Sequence, residues 1–105
     1  MQEHLERKLS QGEIVKSMPA SVLFYKSTPE FNETSVPAAL QRDHTTAAEV
    51  WAKITILEGN LEYCITEPAP EQHLLSVGVE GIIEPQMKHY VKISGPVRFR
   101  VDFYR

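Results

Sequence analysis

The chain has 105 residues, which is room for one domain of common size with a single hydrophobic core. Its composition is ordinary for a globular protein, and its formal net charge of -3 gives no basic surface for a nucleic acid or an anionic membrane. The single Cys64 excludes an intramolecular disulfide and a zinc site made of cysteines alone. No segment is apolar enough to cross a membrane or to direct secretion, so the predicted location is the cytoplasm.

Residues 1–17 are predicted to form an N-terminal extension, and residues 18–105 the folded domain. The few apolar residues of the extension are too widely spaced for an amphipathic helix, and Gly12 interrupts them. Prolines then separate a short apolar run over 22–25 from a loop-rich stretch that reaches Arg42.

From Val50 onward, short apolar segments alternate with Gly/Pro turns, a pattern typical of an all-β barrel or sandwich. The segment 50–57 is predicted to be a strand that turns at Glu58-Gly59-Asn60 into a second strand over 61–66. The remaining predicted strands are 73–77, 82–84, 89–93 and 97–103.

The last of these strands has the clearest alternation. Val97, Phe99, Val101 and Phe103 share one face, which we expect to be buried. The even-numbered residues, among them Arg98, share the other. An oxyanion could bind to the arginines there, but a solvated strand face is the simpler interpretation.

Three of the four histidines fall on predicted core faces. His89 and His73 share parity with the apolar residues of their own strands, and His44 shares it with Val50, provided that no bulge lies within 45–49. A single histidine on an apolar face is most often a packed core residue with backbone partners. Three that converge in one small barrel favour a metal site, because imidazole is the commonest protein ligand for transition metals.

A metal site usually needs a third or fourth donor. Glu84 and Gln86, shortly before His89, are the candidates in addition to the histidines, so the candidate metal ligands are His44, His89, Glu84, Gln86 and His73. The predicted cofactor is a divalent ion, with zinc, iron, nickel and manganese left open. The sequence contains no compact metal motif. It identifies no catalytic residue and leaves open whether the chain is an enzyme.

Several segments match a known family in order and spacing. They are Arg42-Asp43-His44-Thr45-Thr46, Val50-Trp51-Ala52-Lys53-Ile54, Leu57-Glu58-Gly59-Asn60-Leu61, Glu84-Pro85-Gln86-Met87-Lys88-His89, and the closing run from Val97-Arg98-Phe99 to Phe103-Tyr104-Arg105. Together they resemble the small cupin-like domain of the tellurite-resistance protein B family, and the resemblance covers nearly the whole chain from Met18.

The resemblance implies a cupin-like antiparallel double-stranded β-helix, or jelly-roll barrel, in which His44 and His89 lie nearest a metal centre. Larger cupin families supply ligands from a His-x-His pair and a later glutamate. Here Thr46 and Ala52 stand about where the second histidine and the glutamate would be, so a site must recruit other donors or water. Some family members carry a methyltransferase domain after this one. This chain ends at Arg105, so methyl transfer is not expected of it.

Three functions remain open. The first is a metal-binding domain that binds or acts on a small molecule or oxyanion, in tellurite or stress resistance. The second is a non-catalytic ligand-binding or sensing module, and the third is a structural dimerisation domain with packed histidines. We expect a homodimer, since a short chain gains stability by association and sheet edges offer a surface for it. Nucleic acids and membranes are not expected as partners.

Overall fold

The computed structural model describes residues 17–105, which form an all-β antiparallel domain, as the sequence predicts. In chain order the elements are β1 (Phe24–Ser27), β2 (Phe31–Asn32), a 3-10 helix (Ala38–Gln41), β3 (Trp51–Glu67), β4 (Glu71–Ser76), β5 (Gly81–Ile83), β6 (Lys88–Lys92) and β7 (Val97–Tyr104). The predicted N-terminal extension, apart from Ser17, lies outside the described residues. Within 17–105 there is no helix with the length and apolar character needed to cross a membrane.

Strand β3 organises the fold because it belongs to two sheets. Its first half pairs with β7 on one side and with β5 on the other. Its second half pairs with β4 and β6. Strands β1 and β2 both pair with β7, which extends the first sheet. The two sheets therefore meet along one long strand, and their inner faces enclose the core.

The predicted turn at Glu58-Gly59-Asn60 is wrong, because β3 runs through it without reversing. Gly59 has a φ of 78°, and the register of β3 against β7 shifts between Ile56 and Glu58. A Cβ atom on Gly59 would collide with the backbone carbonyl of Pro96. Gly59 is thus required by a bulge in β3 and by the close approach of the Pro96 backbone. The sequence pattern does not distinguish this use of a glycine from a hairpin turn.

The alternation along β7 is confirmed on its inner face. Val97, Phe99 and Val101 are buried, and Phe103 packs against the core. The core consists of residues from both sheets, from the loop before the 3-10 helix and from the turn between β5 and β6: Val36, Ala52, Ile54, Ile56, Leu61, Tyr63, Ile65, Leu75, Ile83, Met87, Val91, Val97, Phe99 and Val101.

The outer face of β7 is less solvated than predicted. Asp102 is buried, accepts a 2.6 Å hydrogen bond from the Ser27 hydroxyl, and pairs with Arg100 Nε at 3.1 Å. Arg98 forms 2.9 Å ion pairs with Glu30 and Glu58. Because these guanidinium groups already have carboxylate partners, the outer face of β7 is a network of ion pairs across the sheet.

Candidate functional site

A backbone bridge holds His44 and His89 side by side. The amide of His44 donates to the carbonyl of His89 at 2.9 Å, and the amide of His89 donates to the carbonyl of His44 at 3.0 Å. Antiparallel residues that exchange both hydrogen bonds stand directly opposite each other and project their side chains from the same face. The two imidazole ring centroids are consequently 4.1 Å apart, with the ring planes inclined by 55°.

Each of these rings donates a hydrogen bond from Nδ1. His44 Nδ1 lies 2.9 Å from the carbonyl oxygen of Arg42, and His89 Nδ1 lies 2.9 Å from that of Met87. A carbonyl oxygen can only accept, so Nδ1 must carry the hydrogen in both rings. In the neutral imidazole the lone pair is then on Nε2. In its neutral form each ring would therefore present an acceptor, or a metal ligand, at Nε2.

The protonation state of His89 follows from its burial. Its side chain is almost inaccessible, and burial, together with the nearby His44, lowers the pKa of His89 to about 4, although the hydrogen bond to Met87 opposes the shift. At neutral pH His89 is therefore uncharged, and its Nε2 lone pair is available without loss of a proton.

Both histidines line a cavity of about 310 Å³ between the inner faces of the two sheets, which we term the inter-sheet cavity. Most of its wall is apolar. The full lining is Tyr25, Lys26, Thr28, Leu40, His44, Thr45, Thr46, Ala47, Val50, Ala52, Ile54, Ile83, His89, Val91, Phe99, Val101 and Phe103. No aspartate or glutamate is among these described residues. A mainly apolar wall with a few polar groups is typical of a small-molecule site.

The other three candidate ligands do not line the inter-sheet cavity. On β4, His73 Nε2 pairs with Glu71 Oε1 at 2.9 Å. Glu84 and Gln86 lie in the turn between β5 and β6, where the Thr46 hydroxyl donates to the Glu84 carbonyl at 3.4 Å and accepts from the Gln86 amide at 3.2 Å. Within residues 17–105 no group of three histidine, cysteine, aspartate or glutamate residues is arranged to hold a metal ion.

His44 reaches the cavity by a route that strand parity did not anticipate. The parity prediction required a regular strand from His44 to Val50, but Glu49 has a φ of 69° and β3 begins only at Trp51. The bridge to His89 positions the ring instead. A long-range backbone pairing, and not a regular strand, therefore brings His44 next to His89.

Sequence reasoning missed the residues that β1 contributes to the cavity. Tyr25 and Lys26 line it from β1, and Thr28 lines it from the position just after this strand, whereas the sequence suggested only a short apolar run over 22–25 here. The one local indication is the apolar Phe24-Tyr25 pair before Lys26, which does not show which way the lysine points.

Two imidazole rings whose Nδ1 atoms are already hydrogen-bonded fit a divalent transition-metal ion in donor type. His44 and His89 would supply two of the three or four ligands that a protein usually provides, and among the described residues no third histidine, cysteine, aspartate or glutamate is grouped with them. The donor set therefore fits an ion whose remaining positions belong to a bound ligand or to water.

The family model that matches this chain is that of the TehB-like domain, over residues 26–101. The chain belongs to the TehB-like domain family. A probable S-adenosyl-L-methionine-dependent methyltransferase TehB of Haemophilus influenzae is 29% identical to it over 98 residues. That alignment covers 83% of this chain and 32% of the relative, so the TehB-like chain spans about a third of the length of the curated relatives it matches.

Solved structures agree with this assignment. The crystal structure of TehB from Haemophilus influenzae is 25% identical to the TehB-like chain, with a TM-score of 0.73 over 83% of this chain and 32% of that one. A protein from Escherichia coli K12 has a TM-score of 0.78 at 19% identity and covers 86% of this chain and 96% of its own. The iron(II) form of HppE has a TM-score of 0.54 at 12% identity over 85% and 57% of the two chains. Its likeness, which concerns the fold alone, confirms the predicted cupin-like barrel.

Proposed function

We propose that this domain binds a divalent transition-metal ion through Nε2 of His44 and Nε2 of His89, and that water or a small molecule in the inter-sheet cavity completes the coordination. One observation carries the proposal. Both rings donate Nδ1–H to backbone carbonyls, which leaves Nε2 of each as the ligand atom, and the two rings lie side by side in the cavity wall with their centroids 4.1 Å apart. Zinc, iron, nickel and manganese sites all use imidazole ligands.

The chain's own residues prepare the two rings for this role. The carbonyls of Arg42 and Met87 fix the tautomer and the ring orientation, as the outer hydrogen bond of a ligating histidine does in metalloproteins. The low pKa of His89 means that no proton has to leave this ring before it ligates at neutral pH. When bound, a divalent ion would supply Lewis-acid polarisation of a ligand oxygen.

The family resemblance implies a role in tellurite or stress resistance, and in this proposal the role rests on capture or conversion of the small molecule in the cavity. The methyltransferase activity in the relative's name is not extended to this chain, which covers 32% of that protein.

A second candidate is a binding or sensing module that works without metal. It is favoured because, among residues 17–105, no three histidine, cysteine, aspartate or glutamate residues are grouped to hold a metal ion. In this case the Nε2 atoms of His44 and His89 would accept hydrogen bonds from a protic ligand, as neutral imidazoles do.

Metal titration separates the two candidates. Protein purified without an affinity tag is analysed for bound metal, stripped with a chelator, and titrated with zinc, nickel, manganese and, without oxygen, iron(II). The first candidate predicts binding by the parent and at least roughly ten-fold weaker binding by His44→Ala and His89→Ala, since each loses one of two protein ligands.

The matched control is His73→Ala, because His73 is a partly buried histidine that does not line the cavity. It should bind metal like the parent. Equal loss in His73→Ala would locate the ion elsewhere, and a parent that retains none of the four ions would leave the metal-free module as the better candidate.

A further inference from the structure

The lysine of β1 faces the inter-sheet cavity because of a β-bulge. Phe24 pairs with Tyr104, and a regular antiparallel register would next place Lys26 opposite Asp102, on the outer face of the sheet. The register instead shifts between Phe24 and Lys26, so that Lys26 stands opposite Phe103, whose side chain packs against the core. One extra residue in β1 thus moves Lys26 from a position opposite Asp102, on the outer face, to a position opposite Phe103, on the inner face. Bulges often re-aim a side chain in this way beside functional sites.

Aromatic rings support the lysine in this position. Lys26 Nζ lies 5.4 Å from the centroid of the Phe103 ring and 5.9 Å from that of the Tyr25 ring, within the range of cation–π attraction. The residue is exposed and also lines the cavity, so its ammonium group lies at the cavity mouth.

The charge of the cavity wall is therefore asymmetric. Lys26 is the fixed positive charge among the described lining residues, and no carboxylate lies among them to neutralise it within the cavity. A ligand that places one negative charge at the mouth would gain a charge-assisted hydrogen bond there.

The rest of the wall selects against a small, strongly hydrated anion. Elsewhere the cavity wall is formed largely by aliphatic and aromatic side chains, and the Nδ1 hydrogens of both histidines are already donated to backbone carbonyls. The hydroxyls of Thr28 and Thr46 already donate to the carbonyls of Pro29 and Glu84. An inorganic oxyanion would lose its water shell there and find few donors in exchange.

We propose that the inter-sheet cavity takes a small carboxylate with an apolar body, whose carboxylate pairs with Lys26 while its body fills the space toward His44 and His89. The volume of about 310 Å³ is about twice that of a 150 Å³ cavity that binds benzene, so one aromatic ring with a short substituent would fit. This inference rests on the proposed function in taking the cavity as the ligand site, but it does not require a metal ion.

Calorimetric titration of the metal-stripped protein tests the proposal. The probes are benzoate and phenylacetate, their neutral amides, and the inorganic anions tellurite and phosphate. Benzoate or phenylacetate should bind at least roughly ten-fold more tightly than its amide. Lys26→Met should remove that preference and leave the weaker amide binding unchanged, whereas Lys26→Arg should retain it.

The matched control is Lys92→Met, which removes an exposed lysine from β6 that does not line the cavity. It should bind the carboxylates like the parent. Binding of neither carboxylate, equal affinity for acid and amide, or tighter binding of tellurite or phosphate would each overturn the proposal. So would an unchanged preference in Lys26→Met.

The two proposals fail independently. Lys26→Met should bind metal like the parent, because Lys26 supplies no ligand to the ion. If the parent retains no metal but still prefers carboxylates, the metal site is wrong and the carboxylate site stands. If metal binding depends on His44 and His89 but the parent shows no carboxylate preference, the metal site stands and the carboxylate site is wrong.

Discussion

The burial of His89 predicts a specific loss of stability as the pH falls. In the unfolded chain a histidine titrates near 6.5, whereas burial and the adjacent His44 lower the pKa of folded His89 to about 4. The folded state therefore favours the neutral ring. The stabilising contribution is fully present above about pH 6.5 and is lost as the pH falls toward 4. The difference between the two pKa values corresponds to roughly 3 kcal/mol of unfolding free energy.

Urea unfolding followed by circular dichroism measures this contribution. Metal-stripped protein is unfolded at several pH values between 7 and 4, beside His89→Asn, in which an amide can still donate to the Met87 carbonyl but cannot titrate. Comparison with the variant removes the contribution of carboxylates that protonate in the same range. The parent should lose about 3 kcal/mol more than the variant across this window. Parallel pH profiles for the two proteins would refute a His89 that is buried in its neutral form.

Two further predictions concern the fold and the assembly. Gly59→Ala should lower the free energy of unfolding by roughly 3 kcal/mol in a urea titration, because φ is 78° and the added Cβ meets the Pro96 backbone. The control is Gly78→Ala, which is also at positive φ but has open space around it. An equal loss in the control would mean that φ alone accounts for the effect. The predicted homodimer should appear by light scattering at high micromolar concentration. If the β4 edge forms the interface, Leu74→Lys should weaken the dimer, because Leu74 is 60% exposed there. A parent that is strictly monomeric would contradict this prediction.

The strand composition of the domain could be predicted from its sequence because alternation is a local property. β7 and the second half of β3 show period-two alternation of apolar residues, and both were identified with nearly correct limits. The continuity of β3 through Gly59 could not be predicted in this way. It depends on Pro96, a residue far along the chain, which approaches the glycine only in the folded state.

The candidate site was predictable only in part. His89 lies in a regular strand, β6, and its parity correctly placed it in the core. His73 has the same kind of parity, but it lies on the edge strand β4. Its ring nitrogen there is hydrogen-bonded to the Glu71 carboxylate. Parity distinguishes the two faces of a sheet, but it does not distinguish a central position from an edge.

Lys26 and His44, to which the two proposals assign roles in binding, lie where the regular pairing of the strands is interrupted. Lys26 faces inward because of the bulge in β1, and His44 lies outside every named strand, held by the bridge to His89. Regular strands form most of the apolar wall of the cavity, whereas a bulge and an isolated bridge bring in a cation and an imidazole. Such departures cost pairing energy and recur near functional sites. The two residues hardest to place from the sequence alone are therefore His44, on which the metal proposal depends, and Lys26, on which the carboxylate proposal depends.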